Sequence, residues 1–340
     1  MQATANAASA QLMGMAFNGL ALHQTLHAAA VLGVADLLHG GPRTTGDLAR
    51  ALEVNEPALY RVLRYLASQG VFEETAPRTF ANSPRSECLR TGVPGSVRAI
   101  LVFRGSDYCF APYGQILHSI RTGLPARTEI YGTDSFEYLR QHPDAARVFD
   151  DAMSDLSALT GPAIAAAYDF GAWESVMDVG GGNGMLLAAI LRAHPALRGV
   201  LADQPDVLDR ARERGILGGD LAERSAYEPC DFFRQVPAGC RAYVMRNVIH
   251  DWNDERAHAI LANCRRAVPA NGALLLVEHA VREGNEPSPA KVIDVHMLLL
   301  TGGKERTIEE YRALLGGAGF HLAHAVPATP ETMILEATPA

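Results

Sequence analysis

The 340-residue sequence predicts an α/β protein in which a mainly helical winged-helix domain precedes a doubly wound, mostly parallel sheet with an antiparallel C-terminal edge. Three observations carry that expectation. Two capped amphipathic helices and a hairpin lie near the N-terminus, strand-like and helix-like runs alternate after residue 165, and two closing strands are separated only by the turn residues "PATPE". A hydrophobic fraction of 48% with 20% charged residues suffices for two buried cores in a chain of this length.

In the first unit, placed at residues 1–100, the apolar stretch from Leu12 is interrupted by Asn18, His23, Gln24 and His27, and the first Lys or Arg is Arg43. That pattern predicts a buried helix rather than a signal peptide or membrane span. Thr44 with Asp47 reads as a capping box ahead of Leu48 and Leu52, and Asn55 caps a second helix carrying Leu59, Leu63 and Leu66. Gly70 ends it, after which "VFEET" and "RTFANS" form the wing. The shape suggests DNA binding, but residues 43–90 hold seven Arg and no Lys against six acidic residues, a poor surface for phosphate contacts. Packing or dimerisation is the expected use, with a second copy covering the long apolar helix.

Residues 101–165 read as a helical connector, and residues 166–340 as the sheet domain, with strands at "SVMDV", "RGVLAD", "CDFF", "AYVMRNV", "ALLLVEH", "FHLAHAV" and "TMILEAT". After the first of these stands "GGGNG", residues 180–184, at the carboxyl edge where open parallel sheets bind ligands. Four glycines in five positions are more than a tight turn needs. Their spacing departs from the dinucleotide Gly-x-Gly-x-x-Gly, which disfavours a nicotinamide oxidoreductase, and no Gly-Lys-[Ser/Thr] marks a P-loop. Asp203 ends the second strand, where a carboxylate accepts hydrogen bonds from a ribose diol.

His250 falls at the same edge, after the fourth strand. A phenol of pKa about 10 is a poor nucleophile at neutral pH, and a base near 6.5 would help it attack. His250 is therefore the candidate general base, with its ring held in one tautomer by a carboxylate; Asp251 beside it is also placed to cap the following helix. His23 with His27, and His321 with His324, lack a third ligand, so no metal is expected. The formal charge of −8 and five cysteines without a Cys-x-x-Cys point to a cytoplasmic protein with a small-molecule partner, neither nucleic acid nor membrane.

Together "VMDVGGGNG", "LADQP", "CDFF", "NVIHDWNDE" and "GGKERT" resemble the S-adenosylmethionine-dependent O-methyltransferases of the caffeic acid, acetylserotonin and bacterial polyketide-tailoring type. The resemblance covers nearly the whole chain. It implies a winged-helix dimerisation domain, a Rossmann-like methyltransferase domain, a homodimer, and conversion of S-adenosylmethionine to S-adenosylhomocysteine without a metal. It places cofactor contacts at Asp178, Gly180, Gly182, Asp203, Gln204, Asp231, Phe232, Met245 and Arg246, with Asp231 receiving the adenine amino group and Arg246 standing where plant relatives carry Lys. It sets Glu278 and Glu305 beside His250, and Phe149, Met153, Asp294 and Met297 as walls for a flat aromatic or polyketide acceptor, with Tyr113 replacing a Trp. The short "GNEPSPAK" loop fits a bacterial enzyme of secondary metabolism. Two alternatives stand beside this: the same fold repurposed as an S-adenosylmethionine-binding hydroxylase or decarboxylase, and a small-molecule-sensing DNA-binding regulator.

Overall fold

A computed structural model describes residues 2–340, the side chains from Asn6 onward. Two compact units divide the chain, one running to Phe110 and including Arg147–Leu156, the other comprising Ala111–Ala146 and Ser157–Ala340. The segment expected to be a separate connector is thus shared between them. Its last helix, Pro143–Ala167, runs through both assignments without a break.

In the first unit a helix spans Gln2–Leu32, and two shorter helices follow at Thr45–Leu52 and Glu56–Ser68. Their N-caps are those the sequence suggests: Thr44 accepts from the Asp47 N–H and Asn55 from the Ala58 N–H. Each cap contributes about 1 kcal/mol. Strands β1 (Arg43–Thr44), β2 (Phe72–Ala76) and β3 (Thr79–Asn82) form an antiparallel sheet in the order β1-β3-β2. Leu48, Leu63, Leu66, Phe72 and Phe80 fill its core, each no more than 1% exposed. By contrast Leu12, Met13, Met15, Phe17 and Leu20 of the first helix are 57–74% exposed. Among the described residues no helix is long and apolar enough to cross a membrane.

The second unit holds β4 (Ser175–Val179), β5 (Arg198–Asp203), β6 (Ser225–Pro229), β7 (Ala242–Arg246), β8 (Ala273–His279), β9 (Phe320–Pro327) and β10 (Thr332–Pro339). They pair in the order β6-β5-β4-β7-β8-β10-β9. The first five run parallel, and β10 pairs antiparallel with both β8 and β9. One expectation is corrected. The third parallel strand is "SAYEP", not "CDFF", because an edge strand exposed over most of its length carries no apolar run to announce it.

Residues of the central strands alternate between two cores. Met177, Tyr243, Met245, Leu274 and Leu276 pack beneath Ile260, Leu261, Tyr311 and Leu315, while Val176, Val244, Leu275 and Val277 pack beneath Leu186, Leu187 and Ile190. Helices cover both faces of the sheet. Strands β5 and β7 flank β4 on opposite sides, so the chain reverses its direction of winding between them and opens a crevice beyond their carboxyl ends.

Candidate active site

The turn after β4 is built on Gly180, Gly182 and Gly184, which all adopt left-handed conformations with φ of 71°, 58° and 79°, and its backbone is half-buried at residues 180–182. Around Gly182 there is open space: an added Cβ would meet nothing within 4 Å. Its N–H donates to Asp203 Oδ2 at 2.9 Å, and the Gln204 N–H donates to Asp203 Oδ1 at 2.7 Å. Asp203 is therefore fixed against the glycine turn before any ligand arrives. Asp178, only 1% exposed, has one oxygen without a hydrogen-bond partner among the described residues, and burial pushes its carboxyl up to about 7, assisted by the charge of Asp203. A buried acceptor beside half-buried backbone suits a ligand that brings hydrogen-bond donors.

Phe232 and Asp231 lie in the turn after β6. The Phe232 ring comes within 3.5 Å of the position a Gly180 Cβ would take, and Asp231 Oδ1 accepts from the Phe233 N–H at 3.0 Å. Met245 is fully buried, its sulfur 3.7 Å from Cys264 Sγ, so only its backbone is available to the crevice. Arg246 donates from Nη1 to Ser157 Oγ at 2.6 Å and from Nη2 to Thr160 Oγ1 at 2.7 Å. Burial lowers its pKa to about 10 against the opposing charges of Asp178 and Glu278.

His250 sits in a single 3-10 turn, Ile249–Asp251, reached through Asn247 at φ 51°. Its Nδ1 is 2.6 Å from Glu305 Oε1 and 4.0 Å from Glu278 Oε2. Glu278 Oε1 accepts the backbone N–H groups of Val248 and Ile249, at 3.2 and 2.9 Å, and so holds the turn itself. Nε2 makes no hydrogen bond among the described residues; Asp251 Oδ1 lies 3.8 Å from it. The three groups His250, Glu278 and Glu305 could also hold a metal ion, since each offers a ligand atom within 4.8 Å of the others. Nδ1 and Glu305 Oε1, however, are engaged with each other, and that bond leaves Nε2 as the nitrogen for chemistry.

Burial alone would lower the His250 pKa, but the charge of Asp251, the hydrogen bond to Glu305 and the charge of Glu278 outweigh it and push the ring up to about 10. Burial in turn raises Asp251 to about 6, against His250 and Arg127, and Glu278 to about 7. This differs from the unperturbed imidazole assumed from the sequence. The base form appears only as pH rises, so a rate that depends on it climbs above the pH range of an ordinary histidine. In Glu305→Gln one of the opposing charges is gone, and the rising limb of a pH profile of kcat/KM is expected to move down by about one unit or more, with a lower plateau. A limb that stays in place would show that another group titrates.

The residues expected to wall the acceptor are distributed over both units. Asp294, on the helix Pro289–Leu300, accepts the Glu305 N–H at 2.9 Å and thereby braces the carboxylate behind His250. Met297 is 7% exposed on the same helix. Tyr113 Oη is 3.2 Å from His296 Nδ1. Phe149 and Met153 belong to the first unit, where Phe149 meets Phe103 edge-on at 5.4 Å.

The loop bearing Glu305 contributes two residues that the sequence reading passed over. Gly303 lies so close to the turn that an added Cβ would be 1.9 Å from the His250 carbonyl oxygen. Arg306 is fully buried and bonded to both sides of the same turn. The signal available was a charged residue next to two glycines and an acid in "GGKERT".

A winged-helix unit joined to a doubly wound sheet, with a glycine turn and an acid-backed histidine at one crevice, has the organisation of a cofactor-dependent group-transfer enzyme. Residues 113–321 match the O-methyltransferase domain and residues 15–92 the O-methyltransferase dimerisation domain, and the chain belongs to the S-adenosylmethionine-dependent O-methyltransferase family. It is 41% identical to the phenazine O-methyltransferase PhzM of Lysobacter antibioticus, over 93% of this chain and 92% of that protein. The crystal structure of LaPhzM superposes with a TM-score of 0.93 at 40% identity, covering 98% of this chain and 99% of that one. NcsB1, an O-methyltransferase from neocarzinostatin biosynthesis solved with S-adenosylhomocysteine and 1,4-dihydroxy-2-naphthoic acid, superposes with a TM-score of 0.80 at 34% identity, covering 94% and 96%. The regulator and repurposed-fold alternatives find no support among these relatives.

Proposed function

We propose that this enzyme methylates a hydroxyl of an aromatic or polyketide small molecule in bacterial secondary metabolism, with His250 as general base and without a metal ion. The observation that carries the reading is the 2.6 Å bond from His250 Nδ1 to Glu305, which leaves Nε2 without a hydrogen bond among the described residues. S-adenosylmethionine supplies an electrophilic methyl group when bound. Gly180, Gly182, Asp178, Asp203 and Gln204 would hold its amino acid and ribose portions, and Asp231 and Phe232 its adenine. Arg246 supports the site by tying Ser157 and Thr160 to the end of β7.

His250 takes the hydroxyl proton at Nε2, and Glu305 stabilises the resulting imidazolium through Nδ1–H. Glu278 keeps the turn from relaxing as that charge forms. Tyr113, Met297 and Asp294 line the acceptor side. A second copy of the chain covers the exposed apolar residues of the first helix, and the homodimer works in the cytoplasm.

The test is incubation with S-adenosylmethionine and a panel of phenols, catechols and quinone-type polyketides, with and without a chelator, read by mass spectrometry. Gain of one methyl on a hydroxyl with equimolar S-adenosylhomocysteine, unaffected by the chelator, is the expected result. Loss of activity on chelation would overturn the metal-independent mechanism, and methylation confined to amines would overturn the acceptor class.

A further inference from the structure

Arg306 is 0% exposed, and all five of its N–H donors can be accounted for. Nε donates to Asp254 Oδ1 at 3.0 Å. Nη1 donates to the carbonyls of Ile249 at 3.2 Å and Lys304 at 3.3 Å, and Nη2 to the Trp252 carbonyl at 2.9 Å and to Asp254 Oδ1 at 2.8 Å. Ile249 and Trp252 bracket His250 and Asp251, and Lys304 immediately precedes Glu305. The backbone of Arg306 reaches the third member of the group, since its carbonyl accepts the Val281 N–H at 3.0 Å and it forms a parallel bridge with Ala280, two residues beyond Glu278.

Three chain segments thus meet at one residue, two of them at its guanidinium and the third at its backbone, and each brings one residue of the His250–Glu305–Glu278 group. A 2.6 Å hydrogen bond between side chains on separate loops requires the two backbones to keep a constant spacing, and neither loop is held by a strand ladder at that point. Lys could not replace this fork: it is a point charge with three donors, whereas the planar guanidinium reaches carbonyls on both sides of the turn at once.

We propose that Arg306 is the positioning residue of this active site, its guanidinium setting the separation of His250 from Glu305. The proposal builds on the His250 role above, and its test reads the His250–Glu305 bond directly rather than turnover. Wild type, Arg306→Lys and Asp254→Ala are compared by the downfield proton resonance of His250 Nδ1–H, assigned by its loss in His250→Gln, and by the pH midpoint of that ring. Asp254 is 61% exposed, so its truncation opens no buried cavity while removing the charged partner that Arg306 has among the described residues.

Both variants are expected to bind S-adenosylhomocysteine like wild type, to shift or broaden the resonance, and to lower the His250 midpoint by about one unit or more as the bond to Glu305 lengthens. Variants that fold, bind S-adenosylhomocysteine and keep both the resonance and the midpoint overturn the proposal, even with a lower melting temperature. Should Arg306→Lys fail to fold, Asp254→Ala decides by the same criterion. If His250→Gln kept full turnover while these spectra changed, the base assignment would fall and the positioning role would stand.

Discussion

His250→Gln is expected to lower methyl-transfer turnover on the order of a hundred-fold or more, with the affinity for S-adenosylhomocysteine unchanged. Glutamine approximates the reach of imidazole and can still hydrogen-bond Glu305, so packing around a site that is 7% exposed at His250 is largely kept. What it cannot do is accept a proton at Nε2 and carry the charge. The residual rate comes from holding donor and acceptor together, which is a separate contribution. Turnover measured under saturating S-adenosylmethionine, with product-cofactor affinity by calorimetry, separates the two. Undiminished turnover would refute the general-base role.

Gly303→Ala should be nearly as damaging without removing any functional group. The new Cβ would sit 1.9 Å from the His250 carbonyl oxygen, 2.4 Å from the Asp251 carbonyl carbon and 2.7 Å from the Trp252 nitrogen. All three are backbone atoms, so no rotamer change can clear them. Real contacts of this kind begin near 3.0 Å, and the turn or the loop must therefore retreat by about 1 Å. Displacements of that size cost on the order of a hundred-fold in rate where reacting groups must be aligned. The expected result is that loss in turnover, with a lower melting temperature and intact S-adenosylhomocysteine binding. Gly316→Ala is the control, because a Cβ there meets nothing within 4 Å and the position is helical. Equal behaviour of the two variants would show that the close approach has no catalytic consequence.

Most of the fold was legible because it rests on local signals. Strand-like runs locate β4, β5 and β8 to the residue, and the side chains of Thr44 and Asn55 mark the helix starts. Strand β6 was misplaced because "SAYEP" lacks the apolar run of a buried strand, while "CDFF" owes its hydrophobicity to the turn that follows. The winged-helix sheet gained an unforeseen strand, β1, since two residues carry no period.

At the site, chain order placed His250 and the glycine turn at one edge, because every parallel strand ends on the same side. Contacts between loops are another matter. That Asp294 accepts the Glu305 N–H, that Gly303 lies against the His250 carbonyl, and that Arg306 is buried depend on where three loops cross, and no periodicity encodes that.

The exposed apolar residues of the first helix bear on how the molecule survives as well as how it assembles. Covering a side chain such as Leu12 or Phe17 completely is worth about 1.5–3 kcal/mol, and five such residues lie within nine positions. On the reading that a second copy covers them, folding free energy and association are one equilibrium governed by mass action. Dilution then acts as a denaturant. A cell making little of this protein would hold more lone chains, whose uncovered helices invite aggregation and proteolysis, so its half-life would lengthen as its expression rises.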